Sequence, residues 1–174
     1  LVAQVDVPPH DNSAVDGYAV WFDDLARDGE TRLPVAARIA AGHPLAQSVA
    51  RGQAVQIFTG APMPHGSDGA GPDTVFMVED CRIDGGDVIV PAGIERGANR
   101  RSAGEDVRRG DIVLSAHTRL RPQDVGMAAS LGFAEISTYR KLRVGVFSTG
   151  DEIRDPGKPL DPGSIFDANR YALM

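Results

Sequence analysis

Apolar residues in this chain come in short runs separated by clusters of Gly, Pro and Asp. That spacing predicts many short strands and few helices. Tyr18 to Trp21 reads as the start of a strand, Ala54-Val55-Gln56-Ile57-Phe58 as a strand, and Thr74-Val75-Phe76-Met77-Val78-Glu79 as the next. Leu33 to Gly42 is a further apolar stretch, and Cys81 to Ile83 and Asp87 to Val90 flank Asp84-Gly85-Gly86 in a hairpin pattern. Residues 33–98 therefore read as a compact, mainly-β module. Gly110 to Leu114 predicts a turn feeding a short strand, and Ala134 to Tyr139 a return strand. Leu142-Arg143-Val144-Gly145-Val146-Phe147 has the length and apolarity expected of a strand buried in a parallel sheet. Helical spacing is clearest in Pro122 to Gly132, with Pro near the start and Gly at the stop. Asp167 to Tyr171 predicts an N-cap and first turn. His65 to Asp73 reads as an exposed, mobile loop tip, and Asp155 to Gly163 as a long loop.

Composition sharpens this picture. Hydrophobic residues make up 42% of the 174, enough for a core, while 20 Gly and 12 Pro against 6% aromatics favour a turn-rich fold over a helical bundle. The net charge of -6 argues against a nucleic-acid surface, so an anionic ligand would need local help from backbone N–H groups, an arginine or a metal. Cys81 is the only cysteine, and His10, His43, His65 and His117 show no ligand spacing, which leaves no disulfide framework and no structural zinc pattern. No apolar run is long enough to span a bilayer, and the start lacks signal-peptide character. A soluble, cytoplasmic protein is the expectation. The missing initiator Met and an end inside an incipient helix predict a piece of a longer chain.

Four stretches carry candidate chemistry. Asp11-Asn12-Ser13-Ala14-Val15-Asp16-Gly17-Tyr18 gathers carboxylates and short polar side chains suited to a hard cation such as Mg²⁺; an Asx-turn followed by a hairpin turn also explains it. Phe58-Thr59-Gly60-Ala61-Pro62 puts a hydroxyl and a close-approach Gly after a strand, as an ordinary turn does too. Gly104-Glu105-Asp106 follows Arg100 and Arg101, which suits a metal or substrate site or a plain surface ion pair. Ser148-Thr149-Gly150-Asp151-Glu152 offers turn donors that cradle a phosphate, with acids suited to a metal bridge or acid–base role.

Together and in order, these stretches resemble the molybdopterin molybdenumtransferase family, which includes the corresponding part of gephyrin. The matching segments are DNSAVDGYAV (11–20), IFTGAPMPHG (57–66), DTVFMVED (73–80), RRSAGEDVRRGD (100–111), ASLGFAEI (129–136), RKLRVGVFSTGDEI (140–153) and GSIFDANRY (163–171). The resemblance implies an α+β, mainly β fold: the N-terminal region of an elongated multidomain protein, plus the first strand of a truncated α/β domain. Residues 1–21 and 103–141 would form an extended first domain, 22–102 an inserted β-rich second domain, and 142–174 the start of the molybdopterin-binding domain. It further implies Mg²⁺-dependent insertion of molybdenum from molybdate into adenylated molybdopterin, with release of AMP. A homodimer sharing its site between subunits, fed by a molybdopterin adenylyltransferase, belongs to the same expectation. Carried over by motif, the catalytic positions are Asp16, Thr59, Asp106 and Glu152, with Asp16, Asp106 and Glu152 as Mg²⁺ ligands. Ser13, Gly60, Ser148, Thr149, Gly150, Asp151, Asp167 and Asn169 are the substrate-binding positions.

This sequence departs from the family in His10, where an apolar or aromatic residue is more usual, and in the longer 65–73 loop. The family's Ser-Gly-Gly and Pro-Gly-Asn-Pro motifs are expected beyond Met174, so the segment alone is expected to be inactive. The alternative is a non-catalytic dimerisation or binding scaffold of the same family.

Overall fold

The structure, a computed structural model, describes residues 1–67 and 69–174. It divides into two units, Leu1–Ala134 and Glu135–Met174.

In the first unit, eight strands form around one six-stranded sheet: β1 Asn12–Ser13, β2 Gly17–Val20, β3 Thr31–Ile39, β4 Ala54–Ile57, β5 Thr74–Met77, β6 Arg82–Asp84, β7 Asp87–Val90 and β8 Arg100–Arg101. The sheet order is β5-β2-β4-β3-β7-β6, and β1 pairs separately with β8. β2 runs antiparallel to both β4 and β5, while β3 runs parallel to β4. The nine-residue β3 joins two halves: Thr31–Pro34 pair with β7, and Val35–Ile39 pair with β4. Pro34 sits where the strand changes partner, next to a register shift between Val35 and Ala37. A proline lacks the ladder N–H, so a bulge is where a sheet tolerates it. The Asp84-Gly85-Gly86-Asp87 hairpin forms as the sequence predicts, with Asp84 opposite Asp87.

Both faces of this sheet are buried. Ala19, Ile39, Val55, Ile57 and Val75 pack on one side with Trp21. Tyr18, Val20, Leu33, Ala54, Phe76, Val88 and Val90 pack on the other. Double burial explains why these strands read as continuous apolar runs instead of alternating ones. Each fully buried Val or Ile contributes about 1.5–3 kcal/mol of transfer free energy, so the sheet is the stable frame on which the loops are held. Cys81 packs at the margin of the second face, where burial and then the neighbouring Asp80 and Glu79 push its thiol up to about 11.

The N-terminal segment returns to residues 103–114 after the sheet is complete. Ala3 donates to Asp111 O, Val7 to Val107 O, and Val113 to Leu1 O. Ala3, Val107 and Leu131 form a small core there, with Val7, Val113 and Phe133 against it. Leu131 brings in helix α1, Pro122–Ser130. Asp124 in its first turn accepts from the backbone N–H and the guanidinium of Arg121, which holds its carboxyl below the usual range. The helix stops at Gly132, φ 84°, where Phe133 N–H donates to Ala128 O and Gly132 N–H to Ala129 O. This is the left-handed glycine cap, which satisfies the last carbonyls.

In the second unit, β9 Ile153–Arg154 pairs in parallel with β10 Ile165–Phe166, and α2 spans Ala168–Leu173. The expected α2 cap is present: Asp167 accepts the Arg170 N–H.

Three predicted strands do not form. Residues 142–147 pair with nothing among the described residues, and Leu142 and Phe147 are 89% and 83% exposed. A central parallel strand gets its hydrogen bonds and its cover from neighbouring strands, and its own sequence supplies neither. The strand predicted over 142–147 is thus not formed, while the mainly-β architecture expected of the chain is present. Residues 134–139 are also without strand pairing, and 110–114 keep only the single bridge Val2↔Ile112. The loop predicted over 65–73 is more anchored than its composition suggests. Ser67 N–H donates to Val49 O, and the Asp73 carboxylate accepts the Phe22 N–H and the Arg96 guanidinium. Asp68, within that prediction, lies outside the described residues.

Candidate functional site

Asp16 precedes β2 and Thr59 follows β4 by two residues. Because those strands are antiparallel neighbours with Gly17 opposite Ile57, their distant loops emerge at one end of the sheet. There the Asp16 Oδ1 accepts both the Thr59 backbone N–H, at 2.8 Å, and the Thr59 hydroxyl, at 2.7 Å. The two bonds, the hydroxyl's first, hold the carboxyl below its ordinary range. Among the described residues its Oδ2 accepts no hydrogen bond, and both residues are exposed. The result is a fixed carboxylate with one oxygen facing solvent.

The surrounding loops are stitched to each other. Gly60 N–H donates to Ser13 O at 2.8 Å, Ser13 N–H to Ala61 O at 3.0 Å, and Met63 N–H to Asp11 O at 2.9 Å. Gly60 has φ 78°, which a residue with a side chain adopts only with strain. Ser13 is buried, its hydroxyl donating to Val15 O, so its side chain serves the turn. Asp11 pairs with the Arg100 guanidinium, and its other oxygen accepts the Ala103 N–H at 2.8 Å. That backbone bond is the largest cause of its lowered pKa. A cavity of about 360 Å³ opens beside this pair, lined also by His10, Met63 and His65. Its carboxylate and guanidinium already compensate each other.

Asp106 reaches the same loops indirectly. Its Oδ1 accepts from Arg101 at 2.7 Å, and Arg101 stands opposite Asn12 in the β1–β8 ladder. No hydrogen bond links Asp106 to Asp16 or Thr59 among the described residues. Glu105 shares Arg101, through a 3.1 Å contact to its Nε.

The remaining sequence-predicted positions lie in the second unit. Ser148, Thr149, Gly150, Asp151 and Glu152 are exposed, and the Glu152 carboxylate folds back over Gly150. The Ser148 hydroxyl bonds to Asp167, and this bond, ahead of the Arg170 N–H, holds that buried carboxyl low. Asn169 is exposed in the first turn of α2. Among the described residues no group of three or more His, Cys, Asp or Glu gathers to hold a metal ion. Among the described residues no helix is long and apolar enough to cross a membrane.

Arg38 is a nearby cation that patterning alone gives no role. It stacks over the Phe58 ring at 4.5 Å from the centroid, a contact created by the long-range β3–β4 register.

The Asp16–Thr59 pair makes one local prediction. Removing the Thr59 hydroxyl removes the larger of the two bonds that favour the ionised carboxyl. In Thr59→Ala the Asp16 titration moves up toward the ordinary carboxylate range, while in the unaltered protein it lies lower. A carbon-detected NMR titration of the Asp16 carboxyl checks this; an unmoved midpoint contradicts it. A depressed folded-state pKa stabilises the fold above the ordinary carboxylate pKa, and that contribution is lost as pH falls through the folded value. It is small at so exposed a group.

Residues 1–132 match the model of the MoeA N-terminal region (domain I and II). The chain is 40% identical over 174 residues to a molybdopterin molybdenumtransferase of Haemophilus influenzae, covering 99% of this chain and 41% of that protein. It is 37% identical over 172 residues to one from Nostoc sp., covering 97% and 38%. The crystal structure of a molybdopterin biosynthesis moeA protein from Pyrococcus horikoshii OT3 superposes with a TM-score of 0.89 at 32% identity, over 99% of this chain and 46% of that one. This chain thus spans about two fifths of the length of those curated relatives.

Proposed function

From the premise that the chain belongs to the MoeA N-terminal region family, we propose that the whole protein inserts molybdenum from molybdate into adenylated molybdopterin, releasing AMP in the presence of Mg²⁺. The names of the relatives support the substrate class. The observation that carries the reading is the Asp16 carboxylate, fixed by Thr59 with one oxygen left uncommitted. Mg²⁺ dehydrates reluctantly and is usually held by one or two carboxylates together with substrate phosphates. A lone, pre-ionised, solvent-facing oxygen suits that mode, so the residues here fit a metal shared with the ligand.

We assign Asp16 as the Mg²⁺ ligand on this geometry and extend the proposal to Asp106 and Glu152 on motif alone, since no three acids gather among the described residues. The bound ion would neutralise phosphate charge. Thr59 orients Asp16, and Ser148 to Asp151 supply donors to the ligand. Asp167 and Asn169 line the same ligand's path, while Ser13 and Gly60 hold the Asp16 loop in place. The domain division proposed is 1–21 with 103–141, then 22–102, then 142–174. The working unit is a cytoplasmic homodimer that shares its site between subunits and receives its substrate from a molybdopterin adenylyltransferase.

The test is a reconstitution of the whole protein with adenylated molybdopterin, molybdate and Mg²⁺. AMP appears only when all three are present, and chelation stops it. A dimer that binds the pterin nucleotide but releases no AMP would replace this reading with that of a scaffold.

A further inference from the structure

The Asp16–Thr59 pair is anionic at neutral pH, in a chain of net charge -6. A phosphate-bearing ligand is repelled there unless a cation faces it. Arg100 pairs with Asp11, and Arg101 pairs with Asp106 and Glu105. Arg38 differs from both: among the described residues no carboxylate stands within ion-pairing distance of it, and its only recorded partner is the Phe58 ring.

The sheet register places Arg38 on the right face. Tyr18, Gln56 and Arg38 lie in one row across β2, β4 and β3. Side chains two residues apart on a strand share a face. Phe58 therefore follows Gln56 on that face, and Asp16 precedes Tyr18 on it. Beyond the last pair, Gly17↔Ile57, Asp16 immediately precedes β2 and Phe58 immediately follows β4, and the next residue, Thr59, bonds to Asp16. A guanidinium stacked on a ring keeps its N–H edge available, and the stacking limits the rotamers it must give up on binding.

We propose that Arg38 is an anion-binding residue of this site, its guanidinium taking a phosphate oxygen of the pterin nucleotide from the β3 side while Asp16 faces it from β2. The inference rests on the function proposed above, since it takes that ligand as given. Arg38 contributes charge and a planar donor edge. A charge-assisted bond of this kind changes affinity by about tenfold or more.

The experiment is calorimetric titration of the whole protein with adenylated molybdopterin, with Mg²⁺ present and molybdate omitted so that no turnover occurs. Arg38→Ala weakens binding about tenfold and flattens the loss of affinity on adding salt, because one screened attraction is gone. Arg38→Lys keeps the salt dependence and recovers part of the affinity. A merely structural role would move affinity without moving the salt dependence. If the unaltered protein binds and Arg38→Ala binds equally well, the Arg38 assignment is overturned and the proposed function stands. If the unaltered protein does not bind at all, both fall.

Discussion

A Gly17→Ala variant will lose the pairing between β2 and β5 and melt about 10 °C or more below the unaltered protein. A Cβ at position 17 would lie 1.7 Å from the Phe76 carbonyl oxygen and 2.8 Å from its carbon. Both are backbone atoms in the middle of a buried sheet, so neither can swing aside. Relief requires β5 to move away from β2, breaking the Gly17↔Met77 and Tyr18↔Phe76 register and opening the core around Tyr18 and Phe76. Overpacking that forces backbone to shift costs about 3 kcal/mol or more. For a unit of this size that corresponds to roughly 10 °C. Thermal unfolding gives the loss, and peptide-resolved hydrogen exchange should place it in β2 and β5 first. A variant melting within a degree or two of the unaltered protein would show that β5 lies elsewhere.

The largest effect on activity is expected from Asp16→Asn. The side chain keeps its size, and its amide oxygen still accepts from Thr59, so the fold should survive with an unchanged melting temperature. The negative charge and its uncommitted oxygen are lost. Removing a single preorganised electrostatic group typically slows a reaction about 100-fold or more. Molybdenum insertion by the whole protein should fall by at least that factor. Raising Mg²⁺ should restore little, because asparagine is a poor ligand for a hard cation. Thr59→Ala should be milder, about five- to tenfold, as expected for one hydrogen bond to a charged group that leaves the acid in place.

The parts of the fold legible in the sequence are those set by neighbouring residues. Gly85-Gly86 marks the β6–β7 hairpin, Gly132 the end of α1, and Asp167 the cap of α2, because each depends on local backbone chemistry. What stayed hidden depends on partners far along the chain. β3 runs nine residues through Pro34, which a local reading interrupts, because its bulge lets it serve two sheet halves. Residues 142–147 carry the composition of a buried strand yet form none, since composition cannot supply the neighbours that a parallel strand needs. The site follows the same rule. Asp16 and Thr59 each sit in stretches that read equally well as turns. Their contact exists because β4 lies next to β2 with Gly17 opposite Ile57, a register that neither stretch encodes alone. Arg38 is subtler still, a lone polar position in an apolar run until the parallel β3–β4 pairing sets it over Phe58.

The central claim is that Asp16 and Thr59 work as one unit. Groups that act together are strongly non-additive when removed together. The most direct measurement is therefore the rate of AMP release by the whole protein in Asp16→Asn, Thr59→Ala and the double variant, each checked for an unchanged melting temperature. The double variant should be no slower than Asp16→Asn alone. Losses that simply multiply, or rates equal to that of the unaltered protein, would contradict the claim.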